Sequence, residues 1–214
     1  MATTQAVLTP ESNTTPAIVR VPAGDPSGAA WVAQYPTSSS VPDCVEPFKA
    51  NLTAFIAALT AAGAAVSVAA TLRPAQRAYL MHWCWSIVNA NADPRTTPAM
   101  AGVNIAWVHT DSNGVYDAAA SIAGAKAMVN AYGMQNLNTA PALNSKHISG
   151  LAVDMSIIWA GDLSINNKSG MAVVITSSPR TGMNADLHAV GATYGVIKYV
   201  GGSADVPHWS DNGH

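Results

Sequence analysis

Charged side chains are scarce in this chain. Ten Lys and Arg and twelve Asp and Glu among 214 residues make it 10% charged, against roughly a quarter in an average globular protein. The cations are scattered and the net charge is −2, which leaves no basic footprint and excludes nucleic acid as a partner. Cysteine is nearly missing. Cys44 and Cys84 are too few for a disulfide framework and lack the paired spacing of a zinc–thiolate site. Cys84, between Trp83 and Trp85, reads as a small buried hydrophobe. No apolar run is long enough for a membrane span. The nearest, residues 54–72, is alanine-rich, interrupted by Thr and Gly, and reads as a helix followed by a strand, so no membrane insertion is expected. The first eight residues, MATTQAVL, lack a cationic segment and an apolar core, so a conventional secretory signal peptide is not expected either.

What remains is 49% hydrophobic, enough for a core that folds without staples. The length suits one domain with a tail. Residues 1–27, punctuated by Pro10, Pro16, Pro22 and Pro26, read as a flexible N-terminal arm, and residues 28–214 as the domain. Phe48, Leu52, Phe55, Ile56 and Leu59 recur at helical spacing within residues 45–62, with Asp43 placed to cap that helix and Gly63 to end it. Residues 65–72 read as a strand, and Pro74 opens a second helix to about residue 91, with Leu80, Met81, Cys84, Ile87 and Val88 inward. A short strand is expected over 102–109, a helix over 116–132, strands over 151–159, 171–176 and 194–200, and a helix over 184–192. Helices come first and strands gather later, which predicts an α+β fold.

Two short segments concentrate the chemistry. The first is Ser145-Lys146-His147-Ile148-Ser149-Gly150-Leu151-Ala152-Val153-Asp154 and the second Asp205-Val206-Pro207-His208-Trp209. A continuous strand would hold His147 and Asp154 about 23 Å apart, so joint ligation requires the chain to bend, and Gly150 supplies the bend. Alternation then puts Leu151, Val153, Met155 and Ile157 on one face and Ala152, Asp154 and Ser156 on the other. Asp154 is the lone charge on a strand that otherwise reads as buried. It needs a partner, and a metal is one solution. In the second segment Pro207 holds Val206 extended, so the turn can present Asp205 and His208 to one point, with Trp209 packed beside them. Two imidazoles and a carboxylate, with one position left open, make a catalytic rather than structural zinc arrangement.

Ser-x-His-x-x-Gly-x-Ala-x-Asp, followed by an acidic residue three before a His and by an aromatic, resembles the zinc D-Ala-D-Ala metallopeptidase group. That group comprises VanY-like carboxypeptidases, VanX-like dipeptidases and phage L-alanyl-D-glutamate endolysins, and it shares the hedgehog/DD-peptidase fold. The resemblance covers about residues 40–214. It implies an antiparallel sheet flanked by helices and zinc held by His147, Asp154 and His208. It further implies Asp205 as general base and Arg73, in Thr71-Leu72-Arg73-Pro74, contacting substrate or the developing oxyanion. Ser145 binds substrate, orients a ligand or serves the turn, and Trp209 is expected as a cleft wall in contact with substrate.

The carboxypeptidase and dipeptidase branches usually carry Glu at the position of Asp205, which directs the expectation towards an L-Ala–D-Glu endopeptidase acting on the peptidoglycan stem peptide. A D-Ala-D-Ala carboxypeptidase or dipeptidase, or a non-catalytic zinc-containing wall-binding module, is the alternative. The expected setting is a monomer made in the cytoplasm that reaches the wall after holin release or by an injection machine. Arg77 is a second candidate anion contact. His82 is expected to pack or cap rather than bind metal, His109 is a weak candidate to line a cleft, and His188 is expected within a helix.

Overall fold

The computed structural model describes residues 24–214. Most of the arm expected over 1–27 therefore lies outside the described residues, but its last residues are docked. Asp25–Pro26 (β1) pairs in parallel with Ile105–Ala106 (β3), the Ser27 amide donates to the Ala106 carbonyl at 2.9 Å, and Ser27 Oγ lies 2.9 Å from His109 Nε2. Residues 25–27 are thus held against the domain rather than free of it.

The fold is a mixture of helices and small, mainly antiparallel sheets. The first helix, α1 (Phe48–Ala61), buries Phe48, Leu52, Phe55 and Leu59 completely or nearly so, each worth about 1.5–3 kcal/mol relative to exposure. Asp43 does not cap it. Cis-Pro47 sets the boundary, Glu46 accepts the free Ala50 N–H of the first turn at 3.2 Å, and Asp43 instead accepts from Ser38 Oγ at 2.6 Å. Strand β2 (Ala65–Ala70) follows, then α2 (Ala75–Asn89) with Pro74 as its cap residue. The strand expected over 102–109 breaks in two because its halves have different partners: β3 pairs with β1, while β4 (His109–Thr110) pairs with β5 (Tyr116–Asp117). Helix α3 (Ala118–Ala131) begins at Asp117, whose carboxylate accepts from Ala120 N–H, and packs on α2.

Beyond α3 come β6 (Ala152–Ile158), a hairpin of β7 (Leu163–Asn166) with β8 (Ala172–Ile175), then α4 (Ala185–Thr193), β9 (Ile197–Lys198) and β10 (His208–Ser210). Strand β7 was not foreseen, although Leu163 and Ile165 are buried and Ser164 and Asn166 exposed. Four residues are too few for that alternation to stand out. The central sheet runs β2-β6-β10-β9, antiparallel throughout.

Two hydrophobic clusters divide the interior. One joins α1, α4, the hairpin and the inner face of the sheet; the other joins Trp31, α2, α3 and Trp107. Cys44 and Cys84 are both free and buried. Among the described residues no helix is long and apolar enough to cross a membrane.

Gly191 lies inside α4, where alanine would ordinarily gain about 1 kcal/mol. A Cβ there would come within 2.8 Å of the Val196 carbonyl oxygen and 2.9 Å of the Trp209 ring. Backbone cannot retreat as a flexible side chain can, so overlap wins. We expect Gly191→Ala to lower unfolding free energy by about 1–3 kcal/mol, measured by urea denaturation; an unchanged or raised midpoint would refute this account of the packing.

Candidate metal centre

The site is assembled where the strand-to-helix junction after β2, the turn before β6 and the turn before β10 meet. His147 belongs to the turn Ser145–Gly150, in which the Ser145 carbonyl accepts from Ile148 and Ser149 and the Lys146 carbonyl from Leu151. Gly150 makes the bend with φ +69°, and its missing Cβ leaves room for Val45, whose amide donates to the Gly150 carbonyl at 3.0 Å. Asp154 stands on the outer face of β6, opposite Ala70 on one side and His208 on the other. The β2 register shifts between Val68 and Ala70, a bulge that re-aims the strand's end. That end presents the Thr71 carbonyl to the His147 ring and the Arg73 amide to the His147 carbonyl.

His147 Nε2, Asp154 Oδ1 and His208 Nδ1 converge. The separations are 3.1 Å from His147 to Asp154, 3.3 Å from His208 to Asp154, and 3.2 Å between the imidazole nitrogens. Donors about 2.0–2.2 Å from one tetrahedral zinc ion lie about 3.3 Å apart. The other ring nitrogens explain the orientation. His147 Nδ1 is 2.7 Å from the Thr71 carbonyl, and His208 Nε2 is 3.2 Å from the main-chain oxygen of His214. A carbonyl only accepts, so both of those nitrogens carry the hydrogen and donate. The nitrogens facing inward are then lone pairs in the neutral rings, beside a carboxylate oxygen. Three acceptors with no donor among them require a cation. The three residues fit a divalent ion, and the two carbonyls give the imidazoles the outer support that metal-bound histidines ordinarily have.

The His147 and His208 side chains are 6% and 8% exposed, Asp154 21%, and Asp205 48%. Asp205 closes the 3-10 turn Gly202–Asp205. Its Oδ2 is 3.8 Å from His208 Nδ1, beside the ligands but on the solvent side of them. Arg73 is half-buried, and among the described residues its guanidinium has no hydrogen bond or ion pair. Burial pushes its pKa down, while the charges of Asp154 and Asp205 oppose that shift. It is a cation held near the site and left uncommitted.

Other expectations fare differently. Trp209 is no cleft wall. It is completely buried, packed against Phe55 and His188. Successive strand residues face opposite ways, so if His208 points to the site its neighbour must enter the core. The Ser145 hydroxyl oxygen is shielded from solvent and lacks a partner among the described residues, so as folded it offers a substrate no surface, and the residue serves the turn through its carbonyl. Arg77 is spent structurally, donating to the Val32 carbonyl at 3.0 Å and lying over the Tyr132 ring. His82, His109 and His188 make local hydrogen bonds away from the ligand cluster.

Two residues were missed. Lys198 is buried, and its Nζ donates to the Asp205 carbonyl at 3.1 Å and the His208 carbonyl at 2.9 Å, which clamps the turn carrying Asp205 and His208. Tyr199 sets its ring edge-on against His208. The signal that exposed Asp154, a lone charge in an apolar strand, applies equally to Lys198 within Val196-Ile197-Lys198-Tyr199-Val200.

Comparison of the chain with family models, with curated proteins and with solved structures gives no match.

Without metal, a proton answers the demand for a cation. Burial alone would lower the His208 pKa, but the hydrogen bond to Asp154 and the main-chain oxygen of His214 carry it above its ordinary value. Burial alone would raise the Asp154 pKa, yet the contacts with the His147 and His208 imidazoles hold its carboxyl well below the usual carboxylate range. A raised histidine stabilises the fold below about pH 6.5 and loses that contribution as pH climbs through its folded pKa. A depressed carboxyl stabilises it above about pH 4 and loses that contribution on acidification. The metal-free protein should therefore be most stable between about pH 4 and 6.5, read from thermal melts across pH. Ligation must expel the His208 proton, so zinc affinity should rise with pH through the histidine range. Calorimetry in buffers of different ionisation enthalpy measures that release. Removing a ligand outright with His147→Ala should weaken zinc binding by more than the roughly 10–100-fold typical of outer-shell changes.

Proposed function

We propose that this chain is a zinc-dependent peptidoglycan peptidase that hydrolyses a stem-peptide bond, with L-Ala–D-Glu preferred, in endolysin-like cell-wall lysis. The observation that carries the reading is the convergence of His147, Asp154 and His208 with lone pairs inward, together with Asp205 beside them on the solvent side. The resemblance to the zinc D-Ala-D-Ala metallopeptidases assigns roles to those same four residues. The antiparallel sheet with its flanking helices is compatible with the hedgehog/DD-peptidase fold.

When bound, zinc supplies Lewis acidity towards the scissile carbonyl and lowers the pKa of water from about 15.7 to about 7. Asp205 takes the proton of the attacking water on its carboxylate and returns it to the leaving amine. A pure binding site has no need of a free carboxylate at that position. Arg73, charged and uncommitted, donates hydrogen bonds to the developing oxyanion or to a substrate carboxylate. His147 and His208, held through their outer N–H groups, keep the ligand geometry while charge moves.

Asp205→Asn should keep the fold and the zinc but lower cleavage of purified sacculi by about 10²–10⁴-fold, with new D-Glu amino termini counted by mass spectrometry. Chelation should abolish wild-type activity and added zinc restore it. Full activity in Asp205→Asn would remove the base from the mechanism, and release of free D-Ala without D-Glu termini would shift the reaction to a D,D-carboxypeptidase.

A further inference from the structure

Strand β10 accompanies β6 only over Ala152–Asp154. One residue further, the Met155 amide donates to the Pro207 carbonyl at 2.9 Å. In an antiparallel ladder residue 207 would return an N–H to the Met155 carbonyl, but proline has none. The next backbone to meet this side of β6 is Arg180–Gly182. It does so through Gly182 N–H to the Ile157 carbonyl at 2.9 Å and Trp159 N–H to the Arg180 carbonyl at 3.3 Å. The Met155 carbonyl and the Ile157 amide therefore face a gap, and among the described residues neither has a hydrogen-bond partner there.

That gap floors a groove of about 400 Å³, bordered by Ile158, Thr181, Met183, Val206 and Pro207, with no titratable side chain in its lining. Ile158 and Val206 are 58% and 49% exposed. The groove adjoins the metal centre along the chain, because Val206 and Pro207 in its border join Asp205 to His208.

We propose that this groove binds one residue of the substrate peptide in extended form. The bound residue donates its N–H to the Met155 carbonyl and accepts from the Ile157 N–H, the pairing a parallel strand makes opposite Ser156. Its side chain is small and uncharged, since the lining is mostly apolar and holds no charged group. Ser156 stands two residues, or about 7 Å, from Asp154 along β6, so the bound residue lies about two peptide units from the bond being cut. The proposal rests on the peptidase reading and adds to it a main-chain recognition site away from the ligands. The open edge is one residue long, which suits it to a single substrate residue rather than to a second copy of the sheet.

The test uses zinc-loaded Asp205→Asn protein and a synthetic stem tetrapeptide, followed by amide NMR. At saturation the Ile157 amide should shift and its hydrogen exchange slow by about tenfold, the equivalent of one net hydrogen bond. Shifts confined to the turn Ser145–Gly150 and to residues 205–210, with Ile157 unmoved, would overturn the groove and leave the peptidase reading standing. No shift anywhere, together with no cleavage by the wild type, would overturn both. A second variant, Met183→Trp, fills the groove without touching ligand or base. We expect it to raise KM about tenfold with kcat kept; an unchanged KM in the folded, zinc-loaded variant would also overturn the proposal.

Discussion

Three acceptor atoms held within about one tetrahedral edge of each other, with no donor between them, are the constraint on which the rest of this molecule depends. Left empty, such a cluster is repulsive, and a proton on His208 relieves it only over part of the pH range. The surrounding structure is arranged to hold it nonetheless. The Thr71 carbonyl fixes one imidazole and the main-chain oxygen of His214 the other. The bulge at the end of β2 brings Thr71 into place, and Lys198 ties the Asp205 and His208 carbonyls to a single ammonium group.

The low charge content acquires meaning in this light. Asp154 and Lys198 stand in strands that are otherwise apolar, and each would be costly there without partners. Both have them: Asp154 has two imidazoles, and Lys198 has two carbonyls with the Trp209 ring nearby. The buried basic side chains, His147, His208 and Lys198, are therefore gathered at one point of the fold. Asp154 and His208 are fixed by paired strands and His147 by a hydrogen-bonded turn, while Asp205, on a 3-10 turn, remains open to solvent.

Much of this was legible along the chain. The α1 stripe, the Pro74 start of α2, the alternation of β6 and the bend at Gly150 are local patterns governed by helix and strand periodicity, and the structure keeps them. Asp43 failed as a cap because a proline four residues later set the helix boundary. Trp209 is no cleft wall because the strand period sends it, although adjacent to His208 in sequence, to the opposite face and into the core. Lys198 was missed for want of applying to β9 the test that picked out Asp154. The break between β3 and β4 depends on which strands pair, and pairing is not written in either segment alone.

The sequence by itself determined which residues could gather around a cation, His147, Asp154 and His208, and the glycine that lets the chain turn, because those are properties of residue type and short spacing. Tertiary structure alone decided that residues 147, 154 and 208 share one edge length and that the outer nitrogens of the two imidazoles meet main-chain oxygens. It also decided that Pro207, lying opposite Met155, leaves a carbonyl of β6 without a partner. Each of these facts is a distance between segments remote in the chain, set by sheet register and core packing, and no local pattern encodes a register.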